Sequence, residues 1–238
     1  MTEAKEYMLA MFDVLGFKSL FPHPGLDEVY RRYETLMAYV REPKSGIDLV
    51  PIEGFVAVGH LEVQCAYFSD TLLFWSPYSF PGFRSFCTTC SEVLCRSIEI
   101  RLPLRGAITV GRAIMDQPKA TYLGEPIIEA ALVEGAQQWI GASFGPSFHD
   151  PADKKSFFLD TILPYRSHRK SDSALINGSV LDWPRHWRQT RIASAADAIQ
   201  SLNTDPKFAP CYETTLAFIE FSERNHDWFT TGKHLAYG

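Results

Sequence analysis

The chain has 238 residues, 46% hydrophobic, 13% aromatic and 21% charged, enough for one globular domain with a large core, or one domain with an appendage. A net charge of -5 and a pI near 5.8 exclude the basic face of a general nucleic-acid binder. Five cysteines without framework spacing point to a reducing cytoplasm, and neither a signal peptide in Met1–Glu6 nor an apolar run of membrane-spanning length is expected.

Tyr7–Asp13 is apolar up to its final acid and reads as a buried strand, broken by the turn Leu15-Gly16-Phe17. A helix is predicted over Leu26–Val40, and Pro43-Lys44-Ser45-Gly46 interrupts the pattern. Apolar-rich Phe55–His60 follows. Leu61–Phe68 then leads to Ser69-Asp70, read as a hairpin corner, and to a strand over Thr71–Trp75. The spacing of Phe83, Phe86, Cys87, Cys90, Val93, Leu94 and Ile98 predicts an amphipathic helix over Phe83–Ile100. Leu104–Met115 reads as a strand with two glycines. Gly124-Glu125-Pro126 starts a helix, with proline in its first turn, that is expected to run to about Trp139.

This order, strand, helix, two strands, helix, strand, helix, predicts an α+β fold with a βαββαβ core and helices on one face of its sheet. Beyond Gly145-Pro146 the signals weaken. Strands are expected within Ser156–Leu163 and Ala174–Leu181, the latter ending at Asp182-Trp183-Pro184. Ser167–Ser173 is expected to be an exposed basic loop, and Ile192–Leu202 and Tyr212–Phe229 to be helical.

Two acids interrupt otherwise buried strands, Asp13 and Asp70. An ionised carboxylate in such a place needs a cation or a hydrogen-bond partner, and two of them suggest a shared one. Either acid alone has a plainer reading, as a cap or a loop acid. Cys87, Cys90 and Cys95 fit the apolar side of one helix and read as core, since no second ligand pair at zinc-finger spacing follows. The histidines show no paired metal-binding spacing. Trp183, Trp187 and Trp228 read as packing, and Arg166, His168, Arg169 and Lys170 as a solvated patch within reach of a ligand or partner.

FDVLGF (Phe12–Phe17), FSDTLLF (Phe68–Phe74), LRGAITVGRAIM (Leu104–Met115) and YLGEPIIEAALVEGA (Tyr122–Ala136) resemble, in this order, the catalytic core of the class III nucleotidyl cyclases. The resemblance spans about Tyr7–Ala142. It implies a ferredoxin-like cyclase core over residues 1–145, with 146–238 as a C-terminal α/β extension of the same domain. The short DVLGF, FSD and RGAI forms look most like the pyrimidine cyclases of bacterial Pycsar antiphage systems, whose product activates a separate effector.

The resemblance implies cyclisation of a nucleoside triphosphate by its own 3′-hydroxyl with loss of pyrophosphate, a reaction dominated by positioning and charge stabilisation. It implies two Mn²⁺ or Mg²⁺ ions held by Asp13, Asp70 and the Val14 carbonyl, with Leu15, Gly16 and Phe17 offering amides to the triphosphate. It also implies a cytoplasmic homodimer with sites at the subunit interface.

Purine cyclases carry a base-selecting lysine where this chain has Ala66, and a second reader near Thr121. Gln64 and Glu62 alternate with Ala66 on one strand face, and the Gln64 amide can both donate to and accept from a pyrimidine edge. That favours a pyrimidine substrate; between the two, the family resemblance alone implies UTP, with CTP as the alternative. The family's transition-state asparagine and arginine align with Ile128 and Leu132. Arg105, Arg112 and Lys119 are the nearest replacement cations, although Arg105 can equally be a core ion pair. A silent, nucleotide-binding cyclase-like dimer is the rival reading. Another phosphoryl-transfer enzyme on a similar palm would have to do without a GGDEF-like turn.

Overall fold

Lys5–Val14 forms the central strand, β1, whose side chains are buried on both faces from Tyr7 to Phe12. The computed structural model describes residues 3–20, 22, 24–42, 47–52, 55–60, 62–79, 82–148, 161–170, 178–202 and 205–228. After β1 come α1 (Phe17–Leu20), α2 (Leu26–Arg41), β2 (Ile47–Ile52), β3 (Phe55–His60), β4 (Gln64–Phe68), β5 (Thr71–Pro77) and α3 (Phe83–Glu99). Then follow β6 (Leu104–Asp116), β7 (Thr121–Gly124), α4 (Glu125–Gly135), β8 (Gly141–Phe144), β9 (Ile162–Pro164), β10 (Ser179–Leu181), α5 (Trp183–Thr190), α6 (Ala195–Gln200) and α7 (Ala209–Arg224). The protein is α+β, with a mostly antiparallel sheet.

The main sheet runs β4-β5-β1-β6-β8-β10-β9, with β7 pairing on β6, while β2 and β3 form a separate hairpin. β1 is antiparallel to both neighbours, which sets Asp13 opposite Thr71 on β5 and Arg105 on β6. Gly106 makes the close pairing possible, because a Cβ there would meet the Met11 carbonyl at 2.4 Å.

Alternation along β1 divides the interior in two. Met8, Ala10, Phe12 and Val14 join a large core with residues of α2, α3 and the C-terminal helices. Tyr7, Leu9 and Met11 face the other way, packing with Leu73, Trp75 and Ala107 and with Ala130 and Val133 of α4. Helices therefore cover both faces, not one as expected. Asp13, the next odd-numbered residue of β1, belongs to the α4 side. Cys87, Cys90 and Cys95 are buried core residues of α3, and Trp183, Trp187 and Trp228 are buried too.

Several expected boundaries move. α4 stops at Gly135 instead of Trp139, because Gly135 is a poor helix former and the Gln137 side chain turns back onto the Val133 carbonyl at 2.9 Å. Trp139 is instead a core residue, its indole N–H donating to Gln137 Oε1 at 2.7 Å. Asp182-Trp183-Pro184 does not end a strand region alone; it opens α5, with the Asp182 side chain capping the Arg185 N–H at 3.3 Å and Pro184 in the first turn. The expected helix over Ile192–Leu202 contracts to α6, and that over Tyr212–Phe229 shifts to α7. Of the two weak strands, 156–160 and 174–177 lie outside the described residues, and Ile162–Pro164 and Ser179–Leu181 are strand.

The basic loop is corrected at one residue. His168 is fully buried, its Nε2 2.6 Å from Ser143 Oγ and its ring 4.3 Å from that of Trp139. Residues 171–173 lie outside the described set. Among the described residues no helix is long and apolar enough to cross a membrane.

Candidate active site at the end of β1

Asp13 and Asp70 meet at one end of the sheet. Ser69-Asp70 is the two-residue turn between β4 and β5, with Ser69 in the left-handed region at φ 57°. The Val14 N–H donates to the Asp70 carbonyl at 3.0 Å, so the strand bearing one acid is fastened to the turn bearing the other. Tyr33 of α2, buried beneath the turn, donates its hydroxyl to the Ser69 carbonyl at 3.2 Å. Burial, then Asp70 and Asp13, push the Tyr33 phenol above its ordinary range. Sequence reading missed Tyr33, which lies on the buried stripe of α2 as an ordinary core aromatic would.

The Asp13 carboxyl is pushed up from 3.8 to about 6, chiefly by partial burial, then by the negative charges of Glu134 and Asp70, against a smaller opposing effect of Arg105. Glu134 was also missed. It lies in the last turn of α4, where the helix dipole disfavours an acid, and this mismatch is the signal that it serves a partner.

That partner is Arg105, and the arrangement bears on its expected catalytic role. Its Nε and Nη2 both pair with Glu134 Oε1, while Nη1 donates to the Gln137 carbonyl at 3.1 Å. All three guanidinium nitrogens are thus held by the end of α4 instead of being presented to a ligand. Arg105 here is the core ion pair of its plainer reading.

The turn after β1 is also partly committed. The Leu15 N–H donates to the Pro103 carbonyl at 2.9 Å, so it is not presented to a triphosphate. Gly16 adopts φ 76°, and Phe17 starts α1, which makes this a tight corner between strand and helix.

The expected base readers lie elsewhere on the sheet. Gln64 is exposed on β4 and pairs with Trp75, four residues along β5 from Thr71, an offset of roughly 13 Å along the strands from the level of Thr71 and Asp13. The Gln117 side chain donates to the Cys65 carbonyl at 3.2 Å, and Tyr122 lies 5.3 Å from Trp75 ring to ring. The start of β7, with Thr121, is therefore tied to the Gln64–Ala66 end of β4. Thr121 is half-buried and its hydroxyl donates to the Lys119 carbonyl at 3.2 Å.

Arg112 is not brought to the acids. It is exposed, seven residues along β6 from Arg105, roughly 24 Å away, and alternation puts it on the opposite sheet face. Lys119 pairs with Asp116 at 2.8 Å in the β6–β7 turn. Ile128 and Leu132 are 63% and 53% exposed on α4, and Leu123 of β7 is 60% exposed.

No group of three His, Cys, Asp or Glu side chains is arranged to hold a metal among the described residues. The donor set at the end of β1 is instead two carboxylates beside backbone carbonyls. Three negative charges and one arginine leave a net negative field there, which is what a hard divalent cation requires. No protein-family model matches the chain, and no curated protein matches it either.

Proposed function

We propose that the protein is a pyrimidine nucleotide cyclase, converting UTP to 3′,5′-cyclic UMP and pyrophosphate as a second messenger in antiphage defence. The observation that carries this reading is the meeting of Asp13 and Asp70 across the Val14–Asp70 hydrogen bond. The strand order β4-β5-β1-β6, with α2 and α3 as crossovers, fits the ferredoxin-like core that such a cyclase needs.

Asp13, Asp70 and the Val14 carbonyl would hold Mn²⁺ or Mg²⁺, which when bound acidifies the attacking hydroxyl and offsets charge on the leaving group. The chain's own part is to fix both carboxylates at one point, through the β1–β5 register and the Tyr33 hydroxyl under the turn. The separation between the acids and Gln64 fits a homodimer in which the base readers of one protomer serve the acids of the other. The exposed apolar residues Leu123, Ile128 and Leu132 are a suitable contact surface for a second copy.

The engagement of Arg105 by Glu134 favours a second reading, a dimer that binds nucleotide without turning it over. Incubation with ATP, GTP, CTP and UTP, each with Mn²⁺, and product analysis by mass spectrometry separates the two. A cyclic mononucleotide from UTP alone supports uridylate cyclase. Product from CTP alone moves the assignment to cytidylate cyclase, and tight binding of UTP without product supports the silent dimer.

A further inference from the structure

Behind the turn that follows β1 lies a cavity of about 260 Å³, separate from the Asp13–Asp70 end. It is open to solvent on one side and lies between the turn, α1, α2, the α3–β6 connection and Leu202, Asp205 and Phe208 ahead of α7. Leu15, Leu20, Pro103, Leu202 and Phe208 supply an apolar wall, and Tyr212 adds an aromatic edge. The polar lining carries two guanidiniums, Arg32 and Arg101, and the single carboxylate Asp205.

Those charges do not cancel. Asp205 already pairs with Lys207 at 3.2 Å, and Arg32 is shared with Glu28 at 2.9 Å. Arg101 has no carboxylate partner among the described residues. It also occupies a strained position, φ 59°, just after α3, where its N–H and that of Leu102 close the helix onto the Ile98 and Ser97 carbonyls. Glycine is the residue that fits such a C-terminal turn without strain. Arg101 is exposed overall, and its side chain contributes to the cavity lining.

The cavity wall and the candidate active site share one turn. Leu15 lines the cavity and is bonded to Pro103, while a Cβ on Gly16 would meet the Phe208 ring at 3.0 Å. Val14, the residue before Leu15, donates its N–H to the Asp70 carbonyl.

We propose that this cavity is a second ligand site, for a small aromatic carboxylate, whose occupancy shifts the Leu15–Gly16 turn from behind. An apolar cavity of about 150 Å³ accommodates benzene, so the space here suits one or two fused rings with an acid directed at Arg101. Binding of such a ligand is independent of nucleotide chemistry. Only its consequence for Asp13 and Asp70 rests on the cyclase reading.

The test is a titration of the full-length ¹⁵N-labelled protein with 1-naphthoate, followed by amide shifts. The expected result is saturable shifts at Gly16, Ser19 and Phe208, with Val14 moving in step, and no such response to 1-naphthylmethylamine. Arg101→Gly relieves the backbone strain and so keeps the fold, but weakens naphthoate binding at least tenfold. Asp13→Asn leaves binding unchanged. Shifts that never saturate, equal affinity in the Arg101→Gly protein, or an equal response to the amine overturn the site. A failure of the cyclase reading looks different: no cyclic product, with these shifts intact.

Discussion

The backbone N–H of Val14 donates to the carbonyl of Asp70 at 3.0 Å, which ties Asp13 at the end of β1 and Asp70 in the β4–β5 turn into one corner. The first consequence concerns stability. Asp13 titrates near 6 in the fold against an ordinary 3.8, so the folded state binds its proton more tightly. Its contribution is present below pH 3.8 and lost as pH rises through 6, so ionised Asp13 opposes folding at neutral pH. Asp13→Asn should abolish turnover yet raise the melting temperature at pH 7.5. The gain is about 1 kcal/mol once solvent screening of this half-exposed group is allowed for. At pH 4 the two melting curves should nearly coincide.

On the proposed reading, proton and metal compete for the Asp13 carboxylate. Mn²⁺ affinity, measured by calorimetry, should be flat above pH 7 and fall about tenfold per pH unit well below the Asp13 pKa of about 6. Affinity that is level from pH 7 to pH 5 would place the metal elsewhere.

Arg105 and Glu134 form a pair whose side chains are only 14% and 13% exposed. Arg105→Ala leaves the largely buried Glu134 uncompensated beside Asp13, and should cost about 3 kcal/mol in urea unfolding. The double variant Arg105→Met, Glu134→Leu should recover most of that loss. Product formation by this double variant assigns the pair to positioning α4, and a folded but inactive protein assigns Arg105 to the chemistry.

Ile128→Glu and Leu132→Glu change residues exposed in one protomer, so protomer stability should move by no more than about 0.5 kcal/mol. Sedimentation should nevertheless show monomers, and product formation should fall with the dimer. A dimer that persists in both variants puts the interface on another surface.

His168 is neutral in the fold, its pKa pushed down from 6.5 to about 3 by burial, with Arg169 adding to the effect. The unfolded chain binds this proton more readily, so stability is complete above pH 6.5 and is lost as pH falls toward 3. The slope attributable to His168 is about 1.4 kcal/mol per pH unit. His168→Phe should flatten the urea midpoint between pH 6 and pH 4.5.

The parts of this molecule that were legible in sequence are those set by local pattern. The apolar run into Asp13, the Ser69-Asp70 corner and the amphipathic spacing of Phe83–Ile100 each carry their own periodicity, and each stands where expected. Glu134 and Tyr33 were not legible, because their roles come from residues 29 and 36 positions away that only the sheet brings near. His168 lies in a run of basic residues that reads as solvent-facing, and its burial depends on Trp139 and Ser143 from another part of the chain. The start of α5 was legible in principle, since an Asp followed by Trp-Pro is an N-cap with proline in the first turn. The periodicity of the preceding strand obscured it.

The most direct measurement is cyclic UMP formation from UTP and Mn²⁺ by the wild-type protein beside Asp70→Asn, with dimer and melting temperature checked in both. Product from the wild type and none from an equally folded Asp70→Asn dimer is the expected result. Turnover undiminished by the substitution, or no cyclic nucleotide from the wild type with any of the four triphosphates, would contradict the assignment of Asp13 and Asp70 as the catalytic metal site.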